Sequence, residues 1–364
     1  MRRLRHTTAV LIACKNGEAT IGNTVRSAAT QADVFVVSDG STDRTAEVAR
    51  EAGARVYARQ TSGGKPEALR AGNRRFKLSK RYRYVAVLDD DTTIEPRYVE
   101  KLVAKLDRDP KLAAASGRID SLWDHTRRWN PMIAMRAFMY WSYQVTIKRG
   151  QNALKVVNVI CGANTIFRAD VFAALIDEDV PYAIDDMFWL AEIVRRKLGR
   201  VAYVHSARSW TIDPHTLQDW YRQTVRWSWA QFQSVRGHRL GFRLSWFDLA
   251  YLALLIDWAP YMLEPLLFAP AAYLLRDWID PIWFLVWYLG SSFAWMAVAA
   301  AALRKPRLLV LAPVLVVLDL VYRFAMLHAC IKAIREPRSA AKWDSPERFT
   351  LEPAAASLTT VEST

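Results

Sequence analysis

No cysteine in this chain stands near another: Cys14, Cys161 and Cys330 are its only three. That spacing excludes a disulfide framework and a paired-cysteine zinc site, and it suits a reducing compartment. The six histidines form no ligand-spaced cluster, so a histidine-based metal centre is not expected either. There is no internal repeat, no low-complexity linker and no nucleic-acid-binding motif. A secretory signal is also missing. The opening MRRLRHTTAVLIAC is basic and then apolar, but the apolar run is short. It leads into Lys15, Asn16, Gly17 and Glu18 instead of a small-residue cleavage site. Thr8–Ala13 therefore reads as a buried first strand, which leaves the soluble part in the cytoplasm.

What the chain does have is an uneven spread of apolar residues, which make up 52% of its 364 positions. Charges run throughout the sequence up to Gly241, whereas Trp246 to Ile334 is dominated by long apolar stretches. The formal charge of +14 fits nucleic acid, a phosphate-rich substrate or an anionic membrane. The apolar stretches make membrane lipid the leading partner, and no nucleic acid is expected.

In the first part, strand patterns at Ala9–Ala13, Val34–Ser38, Arg55–Ala58, Tyr84–Leu88 and Leu112–Ser116 alternate with helical ones at Glu18–Thr30, Thr42–Ala52, Lys65–Leu78 and Pro96–Leu106. That alternation predicts an α/β fold with a mostly parallel sheet and helices on both faces. Ligands bind such sheets beyond the carboxyl ends of the strands. Further on, Val156–Ile160 and Thr165–Phe167 read as strands. Asp186–Leu198 and Thr216–Val235 read as helices, and Pro131–Lys148 as an aromatic helix of the core or of the membrane interface. Three apolar stretches follow: Phe247–Leu275, Pro281–Leu303 and Leu308–Ile334. Each is long enough for a span of about 20 residues. The basic loop Arg304–Arg307 and the basic tail both point to the cytoplasm, which one simple crossing between them does not allow. Leu308–Ile334 is then re-entrant, interfacial or a hairpin, or the charge rule fails. The expected organisation is a cytoplasmic catalytic domain over residues 1–212, an interfacial helix over 213–241, membrane helices over 242–335 and a polar cytoplasmic tail over 336–364.

Five local patterns carry chemistry, and each has a plain alternative. Asp89-Asp90-Asp91 ends an apolar strand, where carboxylates one residue apart share a hard cation with phosphate oxygens, or form a solvated turn. Asp39 ends another strand ahead of Gly40-Ser41-Thr42-Asp43, which suits close ligand approach or a helix cap. Gly63-Gly64-Lys65 opens a helix and offers amides and an ammonium to a phosphate. Asp185-Asp186 is either a carboxylate pair with one raised pKa, fit for a general base, or a helix start favoured by the macrodipole. Gln223, Arg226 and Trp227 lie on an aromatic helix just before the apolar part, as phosphate and sugar contacts or as interfacial anchors.

The order and spacing of these patterns resemble the family-2 glycosyltransferases of GT-A fold, especially the membrane-embedded synthases of hyaluronan, chitin and cellulose. The resemblance covers Thr8 to Arg236. Val36-Val-Ser-Asp39-Gly-Ser-Thr-Asp43 looks like the donor-binding VDDGSxD, with Ser38 in place of the first Asp. Gly64-Lys65 through Asn73 looks like GKxxALNxG, and Asp89 to Asp91 like DxD. Cys161-Gly162 through Arg168 is similar to SGxxxxxR at the acceptor end, Asp185-Asp186 to the (E/D)D of the catalytic base, and Gln223, Arg226 and Trp227 to QxxRW. Ala13 and Gly17 depart from the usual Pro and Glu.

The resemblance implies inverting transfer of a sugar from a UDP-sugar to a growing polysaccharide at the inner membrane. The alternative is transfer of a single sugar to a lipid or lipid-linked acceptor. Asp39, Lys65, Asp89 and Arg226 would hold the donor and its diphosphate, and Asp89 and Asp91 would hold Mg²⁺ or Mn²⁺. Asp186, aided by Asp185, would be the base. Cys161, Gly162, Arg168, Gln223 and Trp227 would bind the acceptor. Those synthases usually carry membrane helices ahead of the catalytic domain, whereas here the sequence opens on the first strand. That difference points to a homo-oligomer or to a product short of a long polymer.

Overall fold

The computed structural model describes residues 6–124, 126–277 and 280–340; most of the expected tail, 341–364, lies outside the described residues. The elements run β1 (Thr8–Cys14), α1 (Ile21–Ala29), β2 (Asp33–Asp39), α2 (Thr45–Glu51), β3 (Arg55–Arg59), α3 (Lys65–Phe76), α4 (Leu78–Arg81), β4 (Tyr84–Asp89) and β5 (Thr92–Ile94). There follow α5 (Tyr98–Arg108), β6 (Leu112–Ser121), α6 (Pro131–Ser142), a π-helical turn (Tyr143–Lys148) and α7 (Arg149–Ala153). Then come β7 (Asn164–Arg168), α8 (Ala169–Ile176), α9 (Asp185–Arg195), β8 (Arg200–Thr211), α10 (Leu217–His238), α11 (Trp246–Leu275), α12 (Pro281–Ala302) and α13 (Arg307–Arg335). They form two compact units: residues 6–122, 147–212 and 339–340 in the first, and Trp123–Thr146 with Asp213–Arg338 in the second.

The first unit is built on one eight-stranded sheet in the order β3-β2-β1-β4-β7-β6-β8-β5. Four of its seven neighbouring pairs are parallel, and β7 runs antiparallel to both of its neighbours. Every residue of β1 is buried, as its unbroken apolar run demands of a central strand covered on both faces. Register then places the chemistry. Ala13 pairs with Asp89, Cys14 with Ser38, and Asp39 with Arg59, so the carboxyl ends of β1 to β4 finish along one edge. Because β7 is antiparallel, its amino end arrives there as well, with Asn164 opposite Leu88.

The segment Val156–Ile160 is not a strand. Val156, Val157 and Ile160 are buried, but the chain there is irregular and turns on a bond from the Val156 amide to the Gln151 carbonyl at 2.8 Å. Burial of a packed loop leaves the same apolar signature as burial of a strand.

The second unit is helical. Asn130 caps α6 by accepting from the Met132 and Ile133 amides, Thr216 caps α10, and Ser245 caps α11. Its core joins Ile133 and Trp141 of α6, Trp220 of α10, Met296 of α12, and Leu308 and Leu315 of α13. Among the described residues two helices are long and apolar enough to cross a membrane, Ile282–Ala302 and Arg307–Arg335, and up to three if α11 counts as one span. The third apolar stretch is thus one continuous helix and not a hairpin. The break lies in α11, which bends by 71° between Glu264 and Leu266. The ionisable residues of α13 turn toward other helices. Arg323 pairs with Asp319 and Glu264, and Asp319 accepts from the hydroxyls of Tyr261 at 2.6 Å and Tyr288 at 3.1 Å.

Gly72 sets how closely α3 approaches the sheet. A Cβ there would meet Val37 Cγ2 at 2.7 Å and Leu11 Cδ1 at 2.8 Å. Helix propensity favours alanine over glycine by about 1 kcal/mol, but overpacking a close-packed core costs about 1–3 kcal/mol. Gly72→Ala is therefore expected to lower the thermal unfolding midpoint, against the usual effect of that change in a helix.

Candidate active site

Five of the expected residues meet at the carboxyl edge of the first unit's sheet. Lys65, the first residue of α3, bonds Asp89 Oδ1 through Nζ at 2.5 Å and stands 3.9 Å from Asp185 Oδ1. Asp185 and Asp186 open α9, and the Gly162 amide donates to Asp186 Oδ2 at 3.0 Å. A Cβ at Gly162 would sit 3.3 Å from both Asp186 Oδ2 and Lys65 Nζ, so any larger residue would press on the pair. The other carboxylate oxygens, Asp185 Oδ2 and Asp186 Oδ1, are buried with no hydrogen-bond partner among the described residues.

Burial works to lower the Lys65 pKa, but the charges of Asp185, Asp89 and Asp186 outweigh it and hold the ammonium above its ordinary range. Asp186 is raised as well, which for a carboxyl favours the neutral form. Burial and then the Asp185 charge push it up to about 7, against the pull of Lys65 and the Gly162 amide. Burial pushes the Cys161 thiol, beside Gly162, up to about 11, with Lys148 opposing.

The acidic triplet alternates faces, as a strand end should. Asp90 turns inward, buried, and accepts from the Cys14 thiol at 3.1 Å, while its carbonyl accepts from Thr24. Asp89 and Asp91 stay partly exposed, and Asp91 accepts from the Thr211 hydroxyl at 3.2 Å. The two present hard carboxylate oxygens, and among the described residues no third His, Cys, Asp or Glu joins them in a ligand cluster. A donor set of two carboxylates fits Mg²⁺ or Mn²⁺ completed by phosphate and water oxygens.

Asp39 ends its strand as expected but differs in its partners, and Arg168 stands elsewhere than expected. Asp39 is wholly buried and spends both oxygens on the end of β3 and the loop after it: it accepts from Arg59 at 2.7 Å, Ser62 at 2.9 Å, and the Gly63 and Gly64 amides at 2.9 and 3.1 Å. It holds the turn that delivers Lys65, and it takes the glycine amides expected to meet a phosphate. Arg168 pairs in register with Tyr84, at the far end of β4 from Asp89. Its guanidinium donates to the carbonyls of Leu112 at 2.7 Å, Leu106 at 2.6 Å and Asp109 at 3.2 Å, so it anchors the turn after α5 and not an acceptor. A motif fixes the position of Arg168 in the strand, but strand length carries it about 13 Å from Leu88, at 3.3 Å per residue.

In the second unit, Gln223 and Trp227 lie one turn apart on α10, with Arg226 on the same face. Gln223 accepts from Arg136 Nη2 at 3.0 Å, and the same guanidinium lies 4.4 Å from the Trp227 ring centroid. Sequence reasoning missed Arg136, a lone cation in an aromatic helix with no motif around it. It also missed Lys148, at the end of the π-helical turn. Lys148 is buried, its Nζ is 5.0 Å from the Tyr203 ring, and burial lowers its pKa against the pull of Cys161 and Asp186. Only the π-turn, a form that recurs at functional sites, marks Lys148 out, and the sequence does not announce one.

The place of Arg168 gives a direct check. Arg168→Ala is expected to cost about 2–3 kcal/mol, since carbonyls bonded by a charged donor lose it. It should lower the unfolding midpoint and leave UDP binding, measured by calorimetry on the folded protein, within about twofold, a change worth only ~0.4 kcal/mol.

The family described as Glycosyl transferase family 2 matches residues 9–176. The chain is 26% identical over 249 residues to a poly-β-1,6-N-acetyl-D-glucosamine synthase of Staphylococcus epidermidis, covering 65% of this chain and 56% of the relative. It is 29% identical over 231 residues to the synthase of that name from Staphylococcus aureus strain COL, covering 60% and 53%. The chain thus spans about half the length of the curated relatives it matches. Among solved structures, a mannosyltransferase of Pyrobaculum calidifontis in complex with GDP-Man and Mn²⁺ superposes with a TM-score of 0.53 at 17% identity, over 90% of this chain and 86% of its own. That last likeness shows the fold. Residues 9–176 thus resemble the glycosyl transferase family 2 domain, on a mixed sheet of GT-A-like fold, and are followed by apolar helices long enough to span a membrane.

Proposed function

We propose that the protein is a membrane polysaccharide synthase that transfers N-acetylglucosamine from UDP-N-acetylglucosamine to the end of a growing glycan, with inversion. The choice of sugar rests on the two staphylococcal synthases, and the reaction on the contact of Lys65, Asp89, Asp185, Asp186 and Gly162. That cluster is the single observation that carries the reading. It puts a charged ammonium and a carboxyl of raised proton affinity side by side, which is what transfer from a diphosphate leaving group needs.

In this reading the acceptor hydroxyl lies against Asp186 Oδ1, an oxygen with no internal partner. The hydroxyl oxygen attacks the anomeric carbon from the side opposite the diphosphate. Its proton passes to Asp186 while the bond to UDP breaks. Lys65 meets the charge that builds on the departing phosphate. Asp89 and Asp91 would hold a Mg²⁺ or Mn²⁺ ion, which when bound would neutralise diphosphate charge. Arg226 is assigned to the diphosphate, and Gln223 and Trp227 to the acceptor, by the motif they form. Asp39 acts through the loop it holds. The helices capable of spanning a membrane support a membrane location, with the catalytic unit on the cytoplasmic side where UDP-sugars are made.

The test is UDP release by the reconstituted protein with a panel of UDP- and GDP-sugars and either cation, followed by product sizing. Turnover of UDP-N-acetylglucosamine into a high-mass product that a β-1,6-N-acetylglucosaminidase degrades is expected. A product that stays small or lipid-soluble would favour the single-sugar alternative, and no release from any donor would sink the reading. Asp186→Asn is expected to cut transfer by about 10²–10⁴-fold, the usual worth of a general base, with UDP affinity kept. Retained transfer would remove the base assignment.

The pH dependence follows from the raised carboxyl. A base works ionised, so the rate should fall as pH drops through the range near 7 where Asp186 takes up its proton. Asp185→Asn removes the neighbouring negative charge that raises Asp186, so the acid limb of kcat/KM should move to lower pH.

A further inference from the structure

Arg136 lies on α6 with 1% of its side chain exposed, opposite Asp213, equally buried, at 3.6 Å. The pair offsets its own charge, yet the guanidinium does more than neutralise. Nη2 donates to Gln223 Oε1 at 3.0 Å and reaches Thr224 Oγ1 at 3.4 Å. Its Cζ lies over three rings: Trp227 at 4.4 Å from the centroid, Trp220 at 5.4 Å and Tyr140 at 6.0 Å. Tyr140 in turn stacks on Trp227 with centroids 6.4 Å apart and planes 26° from parallel, and its hydroxyl donates to Asp213 at 3.0 Å.

The arrangement is a ladder of two helix pairs. Arg136 and Tyr140 are four residues apart on α6, and Gln223 and Trp227 are four apart on α10, so each pair shares a face. One rung is the hydrogen bond from Arg136 to Gln223. The other is the stack of Tyr140 on Trp227. Arg136 also lies over Trp227 and so ties the rungs together. Buried ion pairs are weak evidence for stability, because well-packed apolar groups replace them with little loss. What an apolar group cannot do is fix an amide and an indole in one orientation. A guanidinium does both, since it is planar, permanently charged and rich in donors set at fixed angles.

We infer that Arg136 is a positioning residue: it fixes the orientation of Gln223 and Trp227, the two side chains of α10 assigned to the acceptor. This rests on the glycosyltransfer reading above. With the guanidinium in place, the amide and the indole are held in one orientation before the sugar arrives, and donor turnover goes to the glycan and not to water.

Arg136→Lys is the test, since lysine keeps a positive charge opposite Asp213 and loses the plane and the fork. The probes are UDP, UDP-N-acetylglucosamine and the reconstituted full chain. The variant should keep its unfolding midpoint and its UDP affinity. Transfer to glycan should fall at least tenfold, and the fraction of donor lost to water should rise. Combined with Gln223→Ala, it should cost little beyond Gln223→Ala alone, because both changes break one unit. Unchanged partition between transfer and hydrolysis, or fully additive losses in the double variant, would overturn the inference. So would a loss of transfer matched by an equal loss of UDP affinity and unfolding midpoint, which is the mark of a merely structural role. The wild-type protein is the control for the underlying reading: no turnover of any donor by the wild type would sink that reading itself.

Discussion

The contact between Lys65 and a crowd of carboxylates is the constraint on which the catalytic unit depends. Asp89, Asp185 and Asp186 come from two different elements, and their mutual repulsion opposes bringing them together. One ammonium at the first position of α3 offsets that repulsion. The Asp39 loop fixes where Lys65 stands, and Gly162 leaves room for it and for Asp186. The sheet order serves the same end. Parallel β1, β2 and β4 bring their carboxyl ends to one edge, and antiparallel β7 returns the Gly162 segment to it.

The balance leaves one carboxyl poised between its two states. Lys65 stays charged because three acids face it. Asp186 keeps a raised proton affinity because burial and Asp185 together outweigh Lys65. Two carboxyl groups adjacent in sequence thus take different parts: Asp185 faces the ammonium, and Asp186 is bound by an amide and leaves one oxygen for a reactant. The second unit meets a similar problem with different means. Arg136 and Asp213 bury opposite charges among aromatic rings, and the apolar helices tie Arg323 to Asp319 and Glu264. In each case a polar group is held in an apolar setting by a named partner, which is the condition for burying it at all.

Much of this was legible in the sequence, and for physical reasons. The strands of the first half are short apolar runs buried on both faces, and period and length reveal them. The acidic triplet, Lys65 and the Asp185-Asp186 pair stand at element boundaries, where turn chemistry leaves a local record. What failed were properties that local pattern does not encode. Val156–Ile160 is apolar because a loop packs inward. β8 escaped notice because arginine, histidine and serine interrupt its alternation from Arg200 to Thr211. The end of the sheet that Arg168 serves is set by the antiparallel course of β7, a long-range fact. Arg136 gains its role only from what folding brings beside it, residues 87 positions away at Gln223.

The central claim is that burial and Asp185 raise the proton affinity of Asp186 while Lys65 remains charged. Infrared difference spectroscopy of the carboxyl stretch across a pH titration, comparing the wild type with Asp186→Asn, measures this directly. A protonated-carboxyl band that fades as pH rises through the neutral range, and that is missing from Asp186→Asn, is the predicted result. A wild-type spectrum whose carboxyl bands all vanish in the ordinary acidic range of aspartate would contradict the account.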